Sequence, residues 1–430
     1  MRLVRGAFGQ TRTYGRRVQC ALWAVWWLAG AVAPALAQPS PPGFPITLQD
    51  AIRYASDNDP AIRAAQARVA AQESGVDLAQ TSYLPRVDSS LQINRATRNN
   101  VAGLLLPGTT IPAISGPVSD ETSWSSIWGS GAGVLVSWEA FDFGQRGASV
   151  DLARALVVRA NAGADVTRLG VAVKTADAFL RLAAAQETVR AARANVERQE
   201  VFANAVGVLV KNQLRPGADD SRAQAELAQA RIQLIQAEQA EQIARATLAQ
   251  WLGVRPAAVQ IASDPLLQAP PLEPSGSPGI ATHPIAEAQM AAVESSVALH
   301  DVFSRSFAPR INFQTAYSLR GTGATASGTH LGGSSGLDFA TANWAVGFTA
   351  TFPLFDWFSL RERAHIEAHN ERAERATYDR VLQELSAQVD RARAELDGSR
   401  RVAQNTPIQL QAARVLEQQS RARYDAGLAT

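Results

Sequence analysis

The chain has 430 residues, with 41 basic side chains against 39 acidic ones, so nothing in its charge suggests a nucleic-acid partner. Its single cysteine, Cys20, falls within an N-terminal leader, which leaves the mature chain without a disulfide, a thiolate metal ligand or a thiol nucleophile.

Arg2, Arg5, Arg12, Arg16 and Arg17 precede an apolar run from Val18 to Val32, and Ala35, Leu36 and Ala37 form a small-x-small cleavage signal before Gln38. Residues 1–37 therefore read as a secretory signal peptide, the apolar run being short for a membrane span. Removing it takes five arginines and no acid, turning the formal charge from +2 to weakly negative. Cys20 opens the apolar run, whereas a lipidated cysteine follows one, so no lipid anchor is expected. No other segment carries about 18 uninterrupted apolar residues, which disfavours a helical membrane protein.

The mature chain repeats itself, as residues 38–263 and 284–430 joined by a Pro-rich linker over 264–283. Asp59-Pro60 opens an Ala-rich helical stretch that stops at Pro85, and His283-Pro284 opens a similar one that stops at Pro309, over an equal interval. After each stop the sequence alternates. In 86–96, Val87, Ser89, Leu91 and Ile93 oppose Asp88, Ser90, Gln92 and Asn94; in 310–320, Ile311, Phe313, Thr315, Tyr317 and Leu319 oppose Arg310, Asn312, Gln314, Ser318 and Arg320. Loops rich in Gly, Ser, Thr and Pro, 97–127 and 321–340, lead to second alternating segments. In 128–138, Trp128, Ala132, Val134, Val136 and Trp138 oppose Gly129, Gly131, Gly133 and Ser137; in 341–352, Trp344, Val346, Phe348, Ala350 and Phe352 oppose Asn343, Gly347, Thr349 and Thr351. Period-two alternation over such lengths predicts four strands.

Each second strand ends in Phe-Asp (141–142 and 355–356) and passes into a long helical pattern, 146–212 or 359–424. About 65 residues of helix make a rod of roughly 100 Å. Pro407 is expected to kink or break the second rod. The first rod is reversed by 211–220 (KNQLRPGADD), and a return helix runs over 218–252. By analogy, roughly 40 residues of a second return helix are expected beyond Thr430, so the chain reads as a truncated frame or fragment. The apolar seam left bare would hinder assembly by residues 38–430.

Strands of about ten residues suit a tilted crossing of a bilayer, with the aromatic faces against lipid and the polar faces around water. In lipid every backbone donor and acceptor must be paired, so such a sheet has to close. Four strands cannot, because spanning barrels begin at about eight. Several chains must therefore contribute, and three would supply twelve strands. The expected lipid-facing residues are Leu91, Ile93, Val134, Val136, Trp138, Phe313, Tyr317, Trp344, Val346, Phe348 and Phe352; the expected lumen-facing ones are Asp88, Ser90, Gln92, Asn94, Arg310, Asn312 and Gln314. The alternative for the strands is a soluble sandwich, since alternation does not separate lipid from core. The helices carry Arg, Glu and Gln throughout, with Ala at many contacts, which suits coiled-coil packing in water.

These segments resemble the TolC family of outer-membrane export channels over essentially the whole mature chain. The resemblance rests on 48–60 (LQDAIRYASDNDP), with Asp59 where the family usually has Asn, on 82–87 (SYLPRV), the Phe-Asp turns, 248–253 (LAQWLG) and 423–428 (RYDAGL), in that order and duplicated. It implies a mixed α and β membrane protein: a homotrimer whose twelve-strand barrel in the outer membrane continues as a helical tunnel across the periplasm. It also implies a periplasmic adaptor and an inner-membrane pump of ABC or RND type docked at the helical tips. The family closes that end by hydrogen bonds and charge pairs near the helix turns. Tyr424 matches the turn tyrosine of the second repeat, and Asp219 or Asp220 the aspartate after the first turn; Arg215 and Gly427 lie in the same two turns. A tyrosine hydroxyl on a carboxylate makes a reversible latch. The alternative role for Asp219 is N-cap of the return helix. Family members serve small-molecule pumps or type I protein secretion, and many drug-efflux members are lipidated, which favours protein or toxin secretion for this chain.

No catalytic, cofactor or metal site is expected. His365 and His369 lie one helical turn apart near Glu362 and Glu367, but outside the His-Glu-x-x-His order and on a charged face. There is no phosphate loop after a strand, and the Gly-x-Ser-x-Gly pattern at 332–336 falls in the loop 321–340 and not at a strand-to-helix elbow. Two rival functions are a periplasmic coiled-coil adaptor and a surface-binding module built on loops 97–127 and 321–340. Deleting those loops separates the second from a duct, because export should survive and binding should not.

Overall fold

Both Xaa-Pro pairs that mark the repeat are helix starts. Asp59 Oδ1 accepts a hydrogen bond from the Ala61 amide at 2.7 Å, and His283 Nδ1 accepts one from the Ile285 amide at 3.3 Å, with proline at the first helical position in each case. Proline costs nothing there, because that amide has no helical acceptor. The computed structural model describes residues 45–425 apart from 101–102, 112, 264–265, 267–278, 326 and 328. The signal peptide with Cys20, most of the linker, the side chain of Tyr424 and Gly427 lie outside the described residues. Phe44–Thr430 form one compact unit.

The elements in chain order are α1 (Leu48–Asn58), α2 (Pro60–Thr81), β1 (Arg86–Thr97), β2 (Ser126–Phe141), α3 (Gln145–Lys211), α4 (Gly217–Leu252), α5 (Pro284–Arg305), β3 (Arg310–Thr322), β4 (Thr341–Thr351) and α6 (Trp357–Asp425). Helix α3, with 67 residues, is a rod of about 100 Å, and α1, α2, α4 and α5 all pack along it. Alanines make the close contacts. Ala203 of α3 meets Ala223, Leu227 and Ala230 of α4 near the hairpin tip, beside Val196 and Val206. At the other end of that hairpin Phe179 and Leu182 meet Leu248, Ala249 and Leu252, with Ala51 of α1 and Ile46 closing the cluster. Ile46 is fixed by a parallel bridge to Ile261. The pairs Arg193–Glu238 (3.0 Å) and Arg231–Glu200 (2.7 Å) cross from α3 to α4; being exposed, they set register more than stability.

Helix α6 packs against α5 and against no other of these elements. From Arg401 to Arg423 its described side chains are exposed, including Val402, Ile408, Val415 and Leu416. Of the two outcomes expected at Pro407, a kink or a break, the break does not occur: the helix continues through it on a stretch whose side chains are exposed. Water can take the carbonyl that the missing amide leaves behind. No helix among the described residues is long and apolar enough to cross a membrane.

The four strands form one antiparallel sheet in the order β1-β2-β3-β4, so the two repeats meet through β2 and β3. Strand β2 is longer than the alternation alone predicts, running from Ser126 to Phe141, and its pairing with β3 shifts between Glu139 and Phe141. The shift is a bulge. By inserting one residue it moves Phe141 from the polar to the apolar side, where Ile311 is its partner.

Candidate functional site

The register collects the alternating residues into two continuous faces. On one, Val134 lies between Ser89 and Tyr317, Trp138 opposite Phe313, Phe313 opposite Phe348, and Tyr317 opposite Trp344. Leu91, Ile93, Val136 and Val346 belong to the same face, whereas Phe352, expected there too, lies just past the end of β4. Phe313 and Val136 are half-buried by their neighbours, but the outer side chains are bare in the single chain: Trp344 is 78% exposed and Phe348 72%. An apolar surface of this size on one sheet requires cover. The Phe313 and Phe348 rings pack at 5.0 Å between centroids, and Arg95 sits over the Trp128 ring at 5.3 Å where the strands end.

The opposite face carries Asp88, Ser90, Gln92 and Asn94 of β1, the glycines 129, 131 and 133 of β2, and Arg310, Asn312 and Gln314 of β3. Arg86 pairs with Asp88 on it at 3.0 Å. Its upper part is not open: residues 103–111, within the connection read from sequence as a surface loop, fold back onto it. Asn94 Nδ2 donates to the Leu104 carbonyl.

β1 and β4 are the two outer strands, and each has only one neighbour. Their free edges are 12 and 11 residues long. Unpaired edges of that length are expensive to leave in any apolar surrounding.

The junction of sheet and rod is locked by residues that strand and helix periodicity does not reveal. Asp142, 6% exposed, accepts from the amides of Gly144 (3.2 Å) and Arg146 (2.5 Å) and from Arg146 Nε (3.1 Å). It thus caps α3, whose N-cap residue Gly144 has φ +92° and no side chain to do so. Arg146 also donates to the Ser82 carbonyl at 3.2 Å and lies 4.7 Å from the centre of the Tyr83 ring, while Trp138 Nε1 donates to the Tyr83 carbonyl at 3.0 Å. The end of α2, the foot of β2 and the start of α3 are joined in this way. Burial pushes the Asp142 carboxyl up, but the Arg146 and Gly144 amides and the Arg146 guanidinium outweigh it and hold its pKa below the ordinary value. A depressed carboxyl pKa stabilises the fold above the ordinary carboxylate range, and the gain is lost as pH falls through the depressed value. Asp142→Ala is expected to cost about 2 kcal/mol at pH 7. In guanidinium unfolding followed by circular dichroism, the gap to wild type should close below about pH 4.

At the far end the chain reverses between α3 and α4 through Gln213, whose φ is +59°. Pro216, not Asp219, is the N-cap residue of α4, which corrects the capping alternative for Asp219. Starting the helix at Gly217 puts Asp219 and Asp220 inside the first turn, where they favour the helix dipole. Asp219 is paired with Arg215 at 3.4 Å. Helices α4 and α6 make no contact within one chain, so Asp219 is not brought to the end of α6 that carries Tyr424. On α6, His365 and His369 belong to no cluster of three or more metal-ligating side chains among the described residues.

A four-stranded sheet with one apolar and one polar face, carried on rods of about 100 Å, defines the class of outer-membrane export channels. Residues 51–254 and 282–430 match the outer membrane efflux protein family, and the chain belongs to it. It is 27% identical over 428 residues to protein CyaE of Bordetella pertussis, covering 91% of this chain and 82% of that one. Its fold is that of the outer membrane protein VceC of Vibrio cholerae (TM-score 0.66, 18% identity, 89% of this chain and 87% of that one). It is also that of the Campylobacter jejuni outer membrane channel CmeC (TM-score 0.66, 17% identity, 89% and 77%). The protein resides in the outer membrane and acts there as an exit duct for export; the family is one of conduits.

Proposed function

We propose that three copies of this chain close a barrel of twelve strands in the outer membrane, each β1 pairing with the β4 of a neighbour, and that the rods continue it as a hollow cylinder across the periplasm. The observation that carries this reading is the open sheet, with both edges free and its apolar face bare. Closure satisfies the edges, and lipid covers the face. Two copies would give eight strands, a barrel whose interior side chains fill. A duct needs a wider ring, and three copies are the fewest that provide it. All four strands lie within the described residues; the bare seam of α6 hinders assembly, and the copies that do assemble close the ring. Mass measurement of the detergent-extracted protein tests this: three copies are expected, and a monomer with folded strands refutes the closure.

The duct has no energy source of its own, so it works with an inner-membrane pump of ABC or RND type through a periplasmic adaptor at the helical tips. Type I protein secretion is the favoured use and small-molecule efflux the second. Below the folded-back residues 103–111 the polar wall of Asp88, Asn312 and Gln314 offers an extended polypeptide no apolar place to stick. Deleting the gene in its host separates the two uses: loss of a protein from the medium supports secretion, and drug sensitivity with unchanged secretion supports efflux. At the tips, Tyr424 latches onto Asp219 or Asp220 when the rods assemble, with Arg215 and Gly427 in the turns that carry them. Substituting both aspartates by alanine should admit bulky hydrophilic antibiotics into cells; unchanged uptake would remove the latch.

A further inference from the structure

We propose that residues 103–111 form a constriction inside the barrel near its outer end, which limits the size of what leaves. This rests on the reading of the polar face as the lumen wall. Leu105 and Ile111, each 2% exposed, and Thr110, 4% exposed, are buried against that face beside Ile127. They fit because β2 is glycine where they land. A Cβ on Gly131 would lie 2.8 Å from Ile111 Cδ1, and its next two nearest atoms are Leu105 methyls at 3.6 Å; a Cβ on Gly133 would lie 3.0 Å from Thr110 Cγ2. The three nearest atoms around Gly131 all belong to the flap, so its small size answers to the flap and not to the strands. Where Gly103, Leu104 and Leu105 meet Asn94, Ile127 and Gly129, a void of only about 10 Å³ is left, less than a water fills comfortably. The flap is also a unit: the Gly108 amide donates to the Ile111 carbonyl at 3.1 Å and the Leu105 amide to the Ile114 carbonyl at 3.3 Å.

The seat is imperfect in a way that favours movement. Ser90 Oγ, Gln92 Oε1 and Thr110 Oγ1 are buried in it without a hydrogen-bond partner. Each carries a desolvation penalty that lifting the flap into water would relieve. Apolar anchors against unsatisfied polar atoms leave the lifted flap accessible as a minor state beside the closed one.

Labelling of intact cells by a bulky membrane-impermeant maleimide tests the constriction. Gln314→Cys reports the lumen below the flap, and Phe348→Cys, on the lipid face of the neighbouring strand, is its control. In the wild-type background a small maleimide should reach Gln314→Cys much faster than the bulky one. Replacing 103–111 by a Gly-Ser link, or introducing Gly131→Leu to expel the flap, should speed the bulky reagent about tenfold, as expected if the open form is a minor state of roughly 10% or less. Gly131→Leu and the wild-type size ratio serve where the deletion does not reach the membrane. Equal rates with and without the flap, and no size dependence in the wild type, overturn the constriction while leaving the barrel in place. Labelling at Gln314→Cys no faster than at Phe348→Cys in every background overturns the lumen reading and the constriction with it.

Discussion

Val346→Arg should remove the protein from the outer membrane. Val346 is the central residue of β4, 56% exposed on the apolar face and opposite Thr315. A basic side chain on the lipid face near the bilayer midplane costs about 2–4 kcal/mol. A barrel that repeats the strand in three copies pays it in each, about 6–12 kcal/mol in all, which matches the whole stability of a typical domain. The same residue type on the other face is the control: Gln314→Arg, exposed on the polar side, should leave assembly near the wild-type level. Quantifying folded protein in outer-membrane fractions reads both. Wild-type recovery of Val346→Arg would contradict the assignment of that face.

Phe179→Ala should produce the largest loss among the helices, about 3–5 kcal/mol in guanidinium unfolding. Phe179 is fully buried at the one place where α1, α3, α4 and the Ile46–Ile261 bridge all converge, among Ala178, Leu182, Leu248, Leu252 and Val259. Elsewhere along α3 and α4 the buried residues are alanine, valine, leucine and threonine, each smaller than a phenylalanine ring. Here a ring fills the space between three helices whose backbones are fixed by their own hydrogen bonds, so the cavity cannot collapse. A loss under about 1 kcal/mol would mean that the elements do not depend on this cluster.

What was legible in the sequence is what repeats with a period. The alternation at 86–94 and 310–319 placed side chains on two faces, and the pairing of Val134 with Tyr317 and of Phe313 with Phe348 gathers them as that alternation requires. The rods could be read because Ala, Arg, Glu and Gln run without a breaker from Gly147 to Arg215. Features set by a single residue in its surroundings were not. The bulge between Glu139 and Phe141 has no local signature, since it exists to return a phenylalanine to the apolar side. Pro407 reads as a kink or a break, and on a solvated stretch the helix runs on through it. Asp219 looks like a cap because acidic residues follow a turn, but Pro216 takes that position. The Phe-Asp motif at 141–142 was visible as a boundary; that Asp142 caps α3 in place of Gly144, and that Arg146 reaches back to Ser82 and Tyr83, depends on α2 ending beside β2. The glycines of β2 read as a polar face, although Gly131 is the seat of a flap twenty or more positions earlier in the chain.

The central claim is that one face of the sheet meets lipid and the other water. Spin labels placed in turn at 341–351 of β4 test it most directly, through their relaxation by oxygen, which partitions into lipid, and by a water-soluble nickel chelate. The account predicts period-two alternation with opposite phase: oxygen highest at Trp344, Val346 and Phe348, nickel highest at Asn343, Gly347 and Thr349. Equal nickel access on both sides of the strand, or no alternation in oxygen access, would contradict it.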